Sequence, residues 1–385
     1  MMRIAKLSGI AAALLLLLFL VAACGGGESP FGVKSEVVTQ ADHADAMAFA
    51  PDGRLFFAEQ LTGNIRIITP DGKLLDQPFA KVDVATWVEW GLTGIALDPE
   101  FPTNHYVYAF LTQPVSQEPV IGKPIIVRFT DQNNQGVGPK VLLGDLPKTA
   151  ENHQGFNANG KIHFGPDGFL YASVGDYDTN ELVQDLSNPV GKLLRLNKED
   201  GAPAPANPLA GNPQADQRIF AYGFRESFDF AFHPQTGQIY GTDNTPDTCE
   251  ELNVINPGAN YAWPNVGPFP FSDCLVGREI KPIHNFAKEG LKPGDFLSLV
   301  EVTSLAFASG SKYPLIGDSL MACEKDTKLL RRLTLTGPNF DQVTADDVVV
   351  KDCQLAIAVS PDGTVYYSND TEIRRLVPTA TKPTS

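Results

Sequence analysis

Basic residues are in deficit in this 385-residue chain, where 30 Lys and Arg stand against 45 Asp and Glu. That deficit argues against nucleic acid and anionic lipid headgroups as partners, since both are held by surplus positive charge. Long apolar runs are missing as well. The stretch leading into Val21-Ala22-Ala23-Cys24 has roughly 14 apolar residues, short of the ~20 a helix needs to span a hydrocarbon core. The 6 histidines and 5 cysteines form no C-x-x-C pair and no zinc-ligand spacing, which removes the usual zinc frameworks. Gly25-Gly26-Gly27 precedes neither strand nor helix, so it is a tether and not a phosphate loop. With 34 Gly and 30 Pro spread through the chain, no mature segment sustains a long amphipathic helical period.

What the N-terminus does contain is ordered. Arg3 and Lys6, an apolar block and small residues before Cys24 follow the layout of a signal peptide over residues 1–23. Val21-Ala22-Ala23-Cys24 is similar to a bacterial lipobox, in which Cys24 is acylated and becomes the first residue. Plain secretory cleavage, leaving Cys24 as an extra thiol, is the other reading. Removing Arg3 and Lys6 from the 30 bases leaves 28 against 45 acids, a mature charge of −17. Residues 24–34 then read as a flexible tether to the outer face of a bacterial cell membrane through lipid alone, and 378–385 as a loose tail. Four cysteines remain, Cys249, Cys274, Cys323 and Cys353, with three possible connectivities in an oxidising compartment. Pairing of sequence neighbours, Cys249 with Cys274 and Cys323 with Cys353, is expected because neighbours most often close loops between adjacent strands.

A repeat organises the rest. FAPDGRLFFAE from Phe49 returns as FGPDGFLYASVGD from Phe164, FHPQTGQIYGTD from Phe232 and VSPDGTVYYSND from Val359, with looser copies from Leu97 and Phe307. In the Pro-Asp-Gly turn, Pro presets φ, Asp bonds its own backbone and Gly accepts positive φ, so the flanks read as antiparallel strands. Six such units over residues 35–377 predict an all-β, six-bladed β-propeller of four-stranded antiparallel blades. Strand 36–39 is expected to close the ring against residues 373–376 of the last blade. His163, alternating with Ile162 and Phe164, is expected to face away from the core.

Four ordered blocks carry a resemblance. They are Glu89-Trp90-Gly91-Leu92-Thr93-Gly94; Gly175-Asp176 with Gln184-Asp185-Leu186 and Gly191-Lys192-Leu193-Leu194-Arg195-Leu196; Ala221-Tyr222-Gly223-Phe224-Arg225; and Thr242-Asp243-Asn244-Thr245-Pro246 with Glu250-Glu251-Leu252-Asn253 and Asn260-Tyr261-Ala262-Trp263-Pro264. Together the chain, over about residues 40 to 377, resembles the glucose/sorbosone dehydrogenase family. The resemblance implies oxidation of an aldose or related sugar by hydride transfer to pyrroloquinoline quinone (PQQ), with a base, a calcium ion and cationic partners for the three quinone carboxylates.

Each demand maps onto this sequence unevenly. The family's base position falls on Asn157, which is no base at neutral pH; His153 takes that place if its loop carries an insertion, and is otherwise a surface histidine. The calcium-binding carbonyls fall on Thr245 and Pro246, with Asp243 and Glu251 either supporting that loop or bonding nearby amides. Arg225 matches the family's loop arginine, but Glu226 follows where a neutral amide is usual. Two further arginines are replaced by Cys353 and Leu355. Lys325 or Lys328 matches the family's lysine, while Arg331 and Arg332 read as solvated. Glu89 and Tyr177 fall where the family faces its substrate, and Trp87, Trp90 and Trp263 are candidates to stack on a sugar, interblade packing being the alternative for Trp263. These replacements keep a second reading open, a catalytically silent propeller that binds carbohydrate or a protein partner, and a third, lactone hydrolysis on a calcium-bearing propeller.

Overall fold

The turn chemistry sets the first level of structure. At Pro51-Asp52-Gly53 the Asp52 carboxylate accepts the Arg54 N–H at 3.1 Å, the Gly53 N–H donates to Ala50 O at 2.9 Å, and Gly53 sits at φ +88°. Asp167 and Gly168, and Asp362 and Gly363, repeat the arrangement. Each turn joins two antiparallel strands, Ala44–Phe49 to Leu55–Glu59 in the first case.

A computed structural model describes residues 29–118, 120–150, 156–158, 160–244, 249–265, 279–292 and 299–379. Their strands form six antiparallel sheets, each begun by one repeat unit. The innermost strands are Ala44–Phe49, Leu92–Leu97, Ile162–Phe164, Phe230–Phe232, Val302–Ala308 and Ile357–Val359, one per blade. Phe49, Leu97, Phe164, Phe232, Phe307 and Val359, the residues that lead the six repeats, all line one cavity on the propeller axis. The repeat is therefore the signature of an apolar ring at one mouth of the channel. Blade two carries an added short strand, Thr149–Ala150, on Val120–Gln132. The ring closes as expected: Val33–Gln40 pairs with Glu372–Pro378, so the start of the propeller supplies the outer strand of its last blade. That strand starts at Val33, inside the stretch read as tether.

Apolar side chains fill the spaces between blades. Tyr108, Phe110 and Ile126 of blade two meet Ile162, Ala172 and Leu194 of blade three, all buried. His163 lies outside the hydrophobic clusters and lines the channel, where its Nε2 lies 2.7 Å from Asp229 Oδ1. One expectation needs correction here. Arg331 is not solvated but buried, bonded to Glu324 at 2.5 Å and Asp346 at 3.0 Å. A half-buried Arg332 pairs with Asp347 and lies over Phe31.

Cys323, on the second strand of blade five, is joined to Cys353 in the connection to blade six, with Cα atoms 5.4 Å apart. Both are fully buried. Cys249 is also disulfide-bonded, and its expected partner Cys274, like Cys24, lies outside the described residues. The Cys323–Cys353 bridge closes a separation of 30 residues. Replacing both by Ala is expected to lower stability by about 3–4 kcal/mol from loop entropy, more if a cavity remains. Urea unfolding of the double variant measures it, and an unchanged midpoint would contradict a stabilising role.

Candidate functional site

Propeller topology gathers the site. Each innermost strand runs from an interblade connection to its turn and the second strand runs back, so connections and second-to-third-strand loops share one end of the axis. Glu89, Asn157, Arg225, Glu226, Glu301, Cys353 and Leu355 come from connections, and Asp176, Tyr177, Asn244 and Lys325 from loops. Gly91 follows Glu89 at φ +136°, where a Cβ would stand 2.3 Å from Gln60 O, so the chain passes here only with glycine.

Asn157 is fixed at the floor of this end. Its backbone N–H donates to Glu89 Oε2 at 2.7 Å and its Nδ2 donates to Asp176 Oδ1 at 2.8 Å, while Trp263 Nε1 donates to Asp176 Oδ2 at 2.9 Å. Asn157 thus holds two carboxylates in place and abstracts nothing. Trp263 is spent on that bond and on packing against Val183, which answers its alternative in favour of structure. Tyr177, expected to face substrate, is 2 % exposed, and its hydroxyl has no hydrogen-bond partner among the described residues. Trp90 is fully buried against Gly122 and cannot stack on a sugar. Trp87 and Phe156 are 39 % and 37 % exposed and belong to the same connections as Glu89 and Asn157.

Both expected cations are already engaged. Arg225 Nη1 donates to Asn244 O at 2.9 Å and lies 3.4 Å from Glu226 Oε2. Asp243 secures this loop, accepting the Glu226 N–H at 2.8 Å and the Arg225 N–H at 3.0 Å. Glu251 accepts from Asn253 Nδ2 at 3.1 Å. Lys325 Nζ pairs with Glu301 Oε1 at 2.7 Å with its side chain 41 % exposed. Burial opposes the charge on Lys325, but Glu301, Glu89 and Glu226 outweigh it and raise its pKa. His153, Thr245 and Pro246 lie outside the described residues.

The acids are what sequence reading underestimated. Glu226 and Glu89 are buried with their carboxyls in hydrogen-bonding reach of each other, a contact that requires a proton. Burial raises both, and Glu89 beside it pushes Glu226 well above the usual carboxylate range, so Glu226 keeps the proton. Glu250, fully buried, is raised well above its ordinary value by burial and then by Glu301, against the opposing pull of Arg225 and the Val302 N–H. Glu301 belonged to no motif. Its one signal was a charge set directly before an apolar innermost strand.

Groups raised on folding contribute stability below the unfolded carboxylate pKa of about 4.3 and lose it as pH rises towards the folded value. Glu226→Gln, neutral at every pH, is therefore expected to gain on the wild type as pH rises. Thermal melts from pH 5 to pH 8 should show the difference growing by roughly 1–3 kcal/mol. A constant difference would place an ionised Glu226 in the folded protein.

A six-bladed propeller with a carboxyl-lined cup on its axis defines the class. Residues 41–377 match the glucose/sorbosone dehydrogenase model, and the chain belongs to that family. It is 25% identical over 359 residues to the aldose sugar dehydrogenase of Escherichia coli, covering 89% of this chain and 91% of that one. To the quinoprotein glucose dehydrogenase B of Acinetobacter calcoaceticus it is 26% identical over 262 residues, 61% of this chain, and spans about half (53%) of that relative's length. A crystal structure of a glucose dehydrogenase-type oxidoreductase from Thermus thermophilus superposes with a TM-score of 0.75 at 30% identity, covering 90% of this chain and all (100%) of that one.

The family implies PQQ, and the described residues do not fit it. Three carboxylates need cationic partners, yet Lys325 is spent on Glu301 and Arg225 on Asn244 and Glu226. Where the family has two arginines, Cys353 is locked in a buried disulfide and Leu355 is buried. Glu89, Glu226, Glu250 and Glu301 instead surround the place with acid. A trianion there would find Lys325 and Arg225 already paired and the Glu301 carboxyl beside Lys325.

Proposed function

We propose that the cup binds an aldose or related sugar as a neutral polyol. The observation that carries this reading is that the two connections bearing the exposed aromatic residues Trp87 and Phe156 are joined by the 2.7 Å bond from the Asn157 N–H to Glu89, at an end of the axis where Lys325 and Arg225 are already paired. A sugar needs no anion cradle. Its hydroxyls donate to carboxylates and its C–H faces lie on aromatic rings, the combination this end offers. A ring of blade loops also gives a concave site without moving the scaffold.

A second reading, oxidation of that sugar by hydride transfer to PQQ, is favoured by the intact Arg225 loop and by the names of the relatives. The misfit of the quinone carboxylates weighs against it. Calcium at the Thr245 and Pro246 carbonyls belongs to the same proposal on the strength of hard oxygen ligands, and export with lipid attachment at Cys24 on the strength of the Val21–Cys24 motif.

Titration calorimetry with a panel of aldoses is expected to show millimolar or tighter binding, weakened roughly fivefold by Trp87→Ala through the lost stacking. No binding by any sugar would reject the reading. Stoichiometric uptake of PQQ with calcium, followed by reduction of an artificial acceptor, would replace it with the second.

A further inference from the structure

Both described ends of the chain leave the propeller at the same place. The outer strand of blade six, Val33–Gln40, pairs antiparallel with Glu372–Pro378. Gln40 then leads through residues 41–43 into the innermost strand of blade one, which starts with Ala44 at the cup end and finishes with Phe49 at the mouth. Val33 and Pro378 therefore stand at the mouth end. Ahead of Val33 the chain is fastened there. The Arg332 guanidinium lies 4.4 Å from the Phe31 ring, the Thr379 N–H donates to Gly32 O at 2.8 Å, and Gly32 abuts Leu315 in the loop joining the first two strands of blade five. Ser29 closes this turn, its N–H donating to Val33 O at 3.3 Å.

Reach then decides which end of the molecule a lipid at Cys24 can hold. From Cys24 to Ser29 the chain has five Cα steps, at most ~18 Å when fully extended. Strand Val33–Gln40 alone rises roughly 24 Å from mouth to cup. A lipid on Cys24 thus cannot bring the cup rim to a bilayer, even with residues 24–28 run out along the blade, whereas it can bring the mouth. Resting on lipid attachment at Cys24, we propose that the protein stands on its membrane with the mouth towards the lipid and the cup turned away, so that the ligand of the cup arrives from the aqueous side.

The two faces themselves would not choose this orientation. Turns at the mouth expose Asp52, Asp71 and Asp362, and Leu315 is the one exposed large apolar side chain in a mouth-end loop among the described residues. At the cup end Leu61, Trp87, Val88 and Phe156 are all exposed in loops and connections. Free in solution, that apolar rim would be the better face for lipid. The short tether is what keeps the rim and its cup in water.

All 3 tryptophans, Trp87, Trp90 and Trp263, belong to the cup end, which makes their emission a marker of its height above the bilayer. The full lipid-bearing chain is placed in phosphatidylcholine vesicles carrying a dansylated headgroup lipid. Energy transfer from tryptophan to dansyl is then compared between the wild type and Leu315→Trp, a change at a mouth-end side chain that is 54 % exposed. Transfer is expected to be weak from the native tryptophans and to be gained with Leu315→Trp. Inserting ~20 Gly and Ser residues between Gly27 and Glu28 extends the typical reach to roughly 25–30 Å and should erase the contrast, because the cup can then also meet the bilayer. Native transfer as strong as that of Leu315→Trp, no gain with Leu315→Trp, or a contrast that survives the insertion overturns the inference and leaves the anchoring reading intact. A mature chain whose Cys24 carries no lipid by mass spectrometry overturns the anchoring reading, and the orientation with it.

Discussion

The molecule is tied together at Asp229, at the foot of the innermost strand of blade four. Innermost strands of a propeller do not pair with one another, so the axis must be held by side chains. Asp229 accepts from Ser304 Oγ at 2.8 Å and from the Leu305 N–H at 2.9 Å, faces His163 at 2.7 Å, and through Ser304 reaches the Ile357 N–H at 3.0 Å. Blades three to six are joined by that one carboxylate. Lys161 bonds Asp45 to tie blade three to blade one, and Thr93 bonds Gly160 O at 3.1 Å to bring in blade two. Burial opposes the charge on Asp229, yet His163 and Lys161 outweigh it and hold its pKa below the usual value. This belt separates the apolar mouth lined by the six repeat-leading residues from the acidic cup at the other end.

The two ends then answer to different physics. At the mouth the pattern is dictated by packing, so the same apolar residue recurs in every blade. At the cup it is dictated by what is bound, and blades differ there. Buried glutamates are costly unless they are paired, protonated or matched by a ligand. Glu301 is paired with Lys325, Glu226 shares a proton with Glu89, and burial raises Glu250 well above the usual carboxylate range. A neutral Glu226 is close in shape and hydrogen bonding to the amide usual in the family. Its replacement therefore disturbs the loop of Arg225 less than a formal charge would suggest.

How much of this was legible in the sequence follows from the same division. Turn residues have local, one-dimensional signatures, and all six turns, the blade number and the closing strand near residue 36 could be read directly. The Cys323–Cys353 bridge was readable because it joins neighbours in one sheet region. Arg331 and Trp90 were misjudged because the side a residue faces depends on the axis and on the neighbouring blade, neither of which a strand pattern encodes. Asp45, Lys161 and Asp229 come from three distant segments, and only the closed ring puts them on one axis. Glu301 and the Glu89–Glu226 contact likewise exist only after blades one, three and four have been brought to one end.

The account turns on buried glutamates that stay protonated at neutral pH, and their carbonyl stretch reports this directly. Infrared difference spectra between the wild type and Glu226→Gln at pH 7, in deuterated buffer, should contain a protonated-carboxyl band that the variant lacks. If the lost intensity falls only in the ionised-carboxylate bands, Glu226 is charged in the folded protein, and the neutral, acid-lined cup described here is wrong.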